Sequence, residues 1–245
     1  MEPIIPEFNF WLHFFPEFIG TALLIIIGDG VVANVVLNKT KGQSSGWIVI
    51  TLGWGMAVFL GVYTSLHFGG MGHLNPAFTI AVATFGNLDA KLILPFIAGQ
   101  FAGAITGAVV VWLAYKQHFD ETTEKDLKLA VFCNAPAIRN TSYNLITEII
   151  GTFVLVFGAL SISPAASSLG TLDALPVAFL VLGIGLSLGG PTGYAINPAR
   201  DLGPRIAHFI LPIPGKRDSD WGYSWIPVLG PIAGALLAAW LFQQL

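Results

Sequence analysis

Gly190-Pro191-Thr192-Gly193-Tyr194-Ala195-Ile196-Asn197-Pro198-Ala199-Arg200-Asp201-Leu202-Gly203-Pro204 is the stretch on which the fold turns. A glycine-rich approach runs into Asn-Pro-Ala, and a short run then continues to Ile210. That run cannot cross a bilayer, which takes about 20 apolar residues. Proline just inside a helix start gives up only an N–H that would be unpaired anyway, and the asparagine before it can cap the helix. The pattern therefore predicts extended chain followed by a half-length helix over 197–210. A second copy stands upstream, where Gly69-Gly70-Met71-Gly72 leads into His73-Leu74-Asn75-Pro76-Ala77 and a short helix over 75–85. Irregular backbone at membrane depth is tolerated only where protein buries it or where it lines a water-filled cavity.

The chain around these segments is apolar. Of 245 residues 54% are hydrophobic and 10% charged, against about 25% charged in an ordinary soluble domain. The 28 glycines suit membrane helices, where small residues let backbones approach closely. Six stretches are long enough to span, at 10–36, 47–68, 92–115, 143–163, 174–189 and 224–243. Polar connections at Asn38–Gly46, Lys116–Arg139, Ser161–Asp173 and Pro212–Trp221 separate them. The expectation is one all-α membrane domain over 1–245, embedded in a lipid bilayer. A net charge of −3 gives no footprint for nucleic acid. The single Cys133 excludes an intrachain disulfide and reads as an apolar filler. Met1–Phe10 is acidic and Pro-rich without a basic segment, so no cleavable signal peptide is expected.

The chain repeats itself. Glu17-Phe18-Ile19-Gly20-Thr21-Ala22-Leu23-Leu24 matches Glu148-Ile149-Ile150-Gly151-Thr152-Phe153-Val154-Leu155, and the two Asn-Pro-Ala motifs fall in corresponding places. Each half, at about 10–115 and 143–244, holds three spans and one half-helix. Three is odd, so the second half enters the membrane inverted, and the site of action is expected near the midplane where the halves meet. The half-helices then enter from opposite faces and confront each other with their positive N-terminal ends, each equivalent to about half a charge. Cations and hydronium meet an unfavourable potential there. The amides of Asn75 and Asn197 can donate to a passing hydroxyl or water. The backbone carbonyls of Gly72, His73, Gly193, Tyr194 and Ala195 form a candidate acceptor ladder.

Paired Asn75-Pro76-Ala77 and Asn197-Pro198-Ala199 motifs in two three-span halves resemble the aquaporin and aquaglyceroporin family of major intrinsic proteins over nearly the whole chain. Gly190–Pro204, with Arg205-Ile206-Ala207-His208 and Asp218-Ser219-Asp220-Trp221, is similar to glycerol facilitators of the Gram-positive type. The resemblance implies six transmembrane helices plus two re-entrant half-helices. It also implies a homotetramer in the cell membrane with one pore per subunit and cytoplasmic termini. The implied function is passive conduction of glycerol and other small uncharged solutes with water, excluding ions and protons. It implies that Arg200 lines an outer constriction, with Tyr194 as an aromatic wall and Gly185 at the position that is glycine in glycerol channels. The fourth position falls on Leu52 by alignment, with Trp54 as the alternative; Leu52 would make the constriction wider or less aromatic. Asp201, and Pro227-Val228 with Arg205, resemble the glycerol branch. Glu17 and Glu148 are implied to hold the re-entrant loops through backbone hydrogen bonds.

Other features read as structure. His73 packs behind its loop, and no His, Cys, Asp or Glu cluster has metal spacing. Gly99, Gly103 and Gly107 form a small-residue packing face, and aromatics near span ends anchor at the interface. Gly28-Asp29-Gly30 lacks the strand and third glycine of a dinucleotide site. With no nucleophile, metal or cofactor motif, no enzyme and no cofactor is expected. Charge argues against the implied orientation. Lys91 stands alone on the terminal side, whereas Lys39, Lys41, Lys116, Lys125, Lys128, Arg139, Arg205, Lys216 and Arg217 lie opposite, which would place the termini outside. Re-entrant loops and Arg200 tie the orientation to the family, so cytoplasmic termini are kept. Three competing functions stay open. One is passage of undissociated lactic acid or hydrogen peroxide, which a leucine at 52 favours. The others are a proton-coupled secondary transporter using Glu17 or Glu148, and a non-conducting adhesive protein.

Overall fold

The structure, a computed structural model, describes residues 8–86 and 88–245, with backbone alone for 163–168 and 171. The acidic start read as lacking a signal peptide lies, but for residues 8–10, outside this range. In chain order the helices are α1 (Phe10–Val36), α2 (Trp47–His67), α3 (Pro76–Phe85), α4 (Ile93–Ala114), α5 (Lys116–Glu121), α6 (Lys125–Ala130), α7 (Thr141–Ala166), α8 (Leu175–Leu188), α9 (Pro198–Ile210) and α10 (Ile226–Phe242). Asn9 starts α1 by accepting the Trp11 N–H at 3.0 Å, and Asn75 and Asn197 cap α3 and α9 with proline at the first helical position.

Four segments are long and apolar enough to cross a membrane: Phe10–Val36, Trp47–His67, Ala90–Ala114 and Thr141–Ile162. α8 and α10 are shorter apolar helices of 14 and 17 residues. Two connections carry more helix than expected. The polar Lys116–Arg139 segment folds α5 and α6, with Lys116 pairing to Asp120 one turn on at 2.5 Å. α7 continues through Ser161 to Ala166, because the Ser161 hydroxyl satisfies itself on the Phe157 carbonyl at 2.7 Å inside the helix.

Packing follows the repeat. α1 lies against α4 and α2, and α7 against α10 and α8. The half-helices are exchanged: α3 packs on α10 of the second half, and α9 on α4 of the first. Bare α-carbons permit the close crossings. A Cβ at Gly99, Gly103 or Gly107 of α4 would stand 2.5, 2.3 or 2.6 Å from the carbonyl oxygens of Phe14, Phe18 and Ala22 on α1. Gly234 of α10 meets the Ile149 carbonyl of α7 at 2.3 Å in the same way. With little hydrophobic drive between helices in lipid, such close backbone contact supplies dispersion energy that larger side chains would forfeit.

The bases that weigh against the orientation are used locally. Lys39 pairs with Glu121, Arg139 with Asp220, Arg217 with Asp126 and Arg205 with Asp201. Lys216 donates to the carbonyls of His208, Phe209 and Leu211 and so caps the negative C-terminal end of α9.

Candidate functional site

The two Asn-Pro-Ala motifs meet at the centre. Asn75 Nδ2 donates to the Ile196 carbonyl at 2.8 Å, and Asn197 Nδ2 donates to the Leu74 carbonyl at 2.8 Å. Each asparagine oxygen meanwhile accepts from its own helix, Asn75 from Ala77 N–H at 2.9 Å and Asn197 from Ala199 and Arg200 N–H at 3.0 and 3.2 Å. An amide nitrogen carries two N–H groups, so each asparagine keeps one donor beyond this mutual clasp. Pro76, Ala77, Pro198 and Ala199 are buried helix starts that aim the asparagines and do not themselves line the cavity described below.

The residue before each asparagine is strained. Leu74 has φ +49° and Ile196 has φ +46°, a left-handed conformation that a β-branched side chain rarely adopts. Buried carboxylates hold both. Glu17 on α1 accepts the N–H groups of His73 and Leu74 at 3.0 and 2.7 Å, and Glu148 on α7 accepts those of Ala195 and Ile196 at 3.0 and 2.9 Å. With those N–H groups turned to the carboxylates, the carbonyls of Gly72, His73, Tyr194 and Ala195 accept no protein hydrogen bond among the described residues. Gln100, which no sequence signal marks, completes the first anchor by donating its amide to Glu17 at 2.7 Å and to Thr79 at 3.0 Å. His73 packs between the rings of Phe78 and Phe96 and contacts the Thr79 hydroxyl at 3.1 Å. Among the described residues no cluster could hold a metal ion.

A cavity of about 230 Å³ runs beside both motifs. Its wall includes Met71, Gly72, Asp173, Asn75, Asn197, Trp54, Tyr194 and Arg200. Leu24, Val58, Val62, Leu155, Val177 and Val181 add apolar surface to it. Glu17 and Glu148 are not among its lining residues, and neither is Gly193, whose α-carbon faces the Asn134 amide.

The cavity wall separates the two α2 candidates that the sequence left open. Leu52 is half exposed, whereas Trp54 is 4% exposed, lines the cavity and carries the Arg200 guanidinium over its ring at 4.1 Å. Two residues along a helix are rotated by about 200°, so only one of the pair can face inward. The structure places the alternative, Trp54, and not Leu52 on the cavity wall, in cation–π contact with the arginine. Gly185 sits behind Tyr194 without itself lining the cavity. A Cβ there would lie 2.8 Å from Tyr194 Cζ, and one at Gly189 would lie 2.4 Å from its Cδ1. These glycines, one turn apart on α8, form the slot that takes the tyrosine ring. Trp47 closes it, donating to the Gly185 carbonyl at 3.0 Å and meeting the ring edge-on.

Arg200 has no ionic partner in Asp201. That carboxylate accepts Arg205 Nε at 2.9 Å and the Asn134 N–H at 2.7 Å. The remaining Arg205 donors reach the carbonyls of Ser219, Asp220 and Asn134 and the second Asp201 oxygen. All five guanidinium donors are thus used, tying α9 to the segments before α7 and before α10. Asn134 extends the tie to the loop by donating to the Thr192 carbonyl at 3.0 Å. Asn134 and Ser219 left no mark in the sequence because their roles exist only once three distant segments converge.

Residues 5–242 match the profile of the family described as Major intrinsic protein. The chain is 58% identical to the probable glycerol uptake facilitator protein of Thermotoga maritima, over 94% of this chain and 97% of that one. It is 42% identical to the D/L-lactic acid transporter of Lactiplantibacillus plantarum, over 93% of this chain and 94% of that one. Among solved structures, the aquaglyceroporin from Plasmodium falciparum aligns with a TM-score of 0.85 at 28% identity, covering 97% of each chain.

Proposed function

This chain belongs to the major intrinsic protein family, and from that premise we propose that it is a passive channel for glycerol and other small uncharged solutes, with water, in the cell membrane. The observation that carries the reading is a cavity whose lining combines residues with unpaired carbonyls and asparagine donors with apolar side chains. A polyol has the matching pair of surfaces, hydroxyl and C–H. Its hydroxyls exchange water for the carbonyls of Gly72, His73, Tyr194 and Ala195 and for the free N–H of Asn75 and Asn197, while its C–H edge slides along the apolar side chains. Arg200 supplies donors and a fixed positive charge at the constriction formed with Trp54 and Tyr194, which repels cations. At the midpoint a water accepting from both asparagines must direct its hydrogens outward in both directions, and this orientation interrupts a proton wire.

Six spanning segments with α3 and α9 as re-entrant half-helices, termini in the cytoplasm and a homotetramer complete the proposal. So does the absence of enzymatic chemistry. Proton coupling is disfavoured because both Glu17 and Glu148 are engaged with two backbone N–H groups and stand off the pathway. A second reading, passage of undissociated lactic acid, keeps support from the relative named for it, but Trp54 in place of Leu52 removes the wide constriction that favoured it. Swelling of proteoliposomes under glycerol and under lactic acid, at acidic and neutral pH, separates the two. Glycerol flux that greatly exceeds lactic acid flux at both pH values is expected; the reverse ranking rejects the leading reading.

A further inference from the structure

Gly28, midway along α1, is buried outside the cavity yet presses against Trp54, which lines it. A Cβ at this position would stand 2.2, 2.4 and 2.5 Å from Cζ3, Cη2 and Cε3 of Trp54. Such distances leave no room for any side chain, and near-equal approach to consecutive ring atoms places the α-carbon over the benzo face. The same indole carries the Arg200 guanidinium at 4.1 Å, inside the cavity. The indole is therefore held between the α1 backbone and the arginine that faces the solute.

Two comparisons within the chain show that this glycine is there for the tryptophan. Gly30, one residue beyond Asp29 on the same helix, has no atom within 4 Å of a would-be Cβ, so glycine is not required by α1 in general. In the inverted repeat, the register that pairs Glu17 with Glu148 pairs Gly20 with Gly151 but Gly28 with Ala159. Gly20 and Gly151 make room for Leu74 and Ile196, the strained residues of the two loops, and are kept in both halves. The bare carbon at 28 occurs only in the half that supplies Trp54.

We propose that Gly28 is a specificity-determining residue that acts as a backstop. Its missing side chain sets how far the Trp54 indole, with the Arg200 guanidinium stacked on it at 4.1 Å, stands back from the cavity, and hence the width available to a solute. The inference rests on the channel reading above. A methyl group at 28 pushes the indole and its stacked guanidinium into the cavity and narrows it, which penalises a polyol far more than water.

The test is stopped-flow light scattering on proteoliposomes of wild-type protein, Gly28→Ala, Gly30→Ala and the double variant Gly28→Ala/Trp54→Phe, each measured for glycerol and for water. Gly28→Ala should lower glycerol flux about tenfold, the scale of one misplaced methyl group in a fitted site, and leave water flux within about twofold. Gly30→Ala should change neither. The double variant, whose smaller ring leaves room for the methyl group, should recover glycerol flux, and should recover folded protein in the membrane if the single variant is lost to misfolding. Equal loss of both fluxes in Gly28→Ala, or a double variant as impaired as the single one, overturns the backstop. Wild-type vesicles that pass water but no glycerol overturn the channel reading itself, a result distinct from either.

Discussion

The two re-entrant loops share a floor and differ in their walls. In both, a carboxylate on the first helix of the half accepts two successive N–H groups, the second from a left-handed residue, and an asparagine caps the half-helix while donating to the opposite loop. Beyond that floor the loops part. The first is steadied by its own half, with Ser65 taking the Gly72 N–H on its hydroxyl and the Gly70 N–H on its carbonyl, and Phe78 stands after its motif. The second carries Arg200 and is locked by Asp201, Arg205 and Asn134 to segments distant in the chain. The difference teaches that the repeat preserves the anchors of both loops, and that one copy has gained an arginine on the cavity wall and a lock of its own.

Breaking the shared floor should have the largest effect, and the same one on both sides. Glu17→Ala and Glu148→Ala each strand two buried N–H groups at about 1–3 kcal/mol apiece. Each variant should therefore lose about 2–6 kcal/mol of stability and nearly all glycerol flux, read by thermal unfolding in detergent and by vesicle swelling. If one half tolerated the change, the symmetry of the anchors would be only geometric.

The Asp201–Arg205–Asn134 lock has no counterpart on the first loop among the described residues, so its loss should be one-sided. Arg205→Met leaves Asp201 buried and unpaired at a cost of about 3–5 kcal/mol, and limited proteolysis should then cut first near Asn134 and Ser219 while the first loop stays protected. Arg200→Val addresses discrimination alone. Its side chain makes no ion pair with Asp201, so unfolding should shift by no more than about 1 kcal/mol, whereas vesicle conductance to monovalent cations should rise.

Asp29→Asn should matter least, and it sharpens the contrast between carboxylates. Both Asp29 oxygens are buried without a hydrogen-bond partner, unlike those of Glu17 and Glu148. The substitution breaks no hydrogen bond recorded among the described residues, so stability should hold or rise by about 1 kcal/mol. A drop as large as that of Glu17→Ala would show that Asp29 has an anchoring role of its own.

Helix positions were legible because their signals are local. Apolar runs, Asn-Pro starts and the Glu17/Glu148 repeat placed α1, α3, α7 and α9 to within a few residues. The packing role of Gly99, Gly103 and Gly107 was legible from their spacing, and the place of Arg200 on the cavity wall from its position after Asn197. Choosing between Leu52 and Trp54 was a different matter. Both lie in an all-round apolar helix with no polar stripe to mark its inner face, so periodicity could not tell which side met Arg200. Gln100 and Asn134 were illegible because a lone amide looks the same whether it caps, bridges or faces solvent.

From the order of its residues alone, this chain determined its long apolar helices, the repeat that pairs Glu17 with Glu148, and two short helices each capped by an asparagine, since those features depend on hydropathy and on neighbours a few positions apart. Tertiary structure alone decided which α2 residue lines the cavity, why Asp201 belongs to Arg205 and not to Arg200, and that a glycine on α1 stands behind the tryptophan. Each of those outcomes depends on the rotation of one helix against another, and that is set only when bare α-carbons and buried donors find their partners across the bundle.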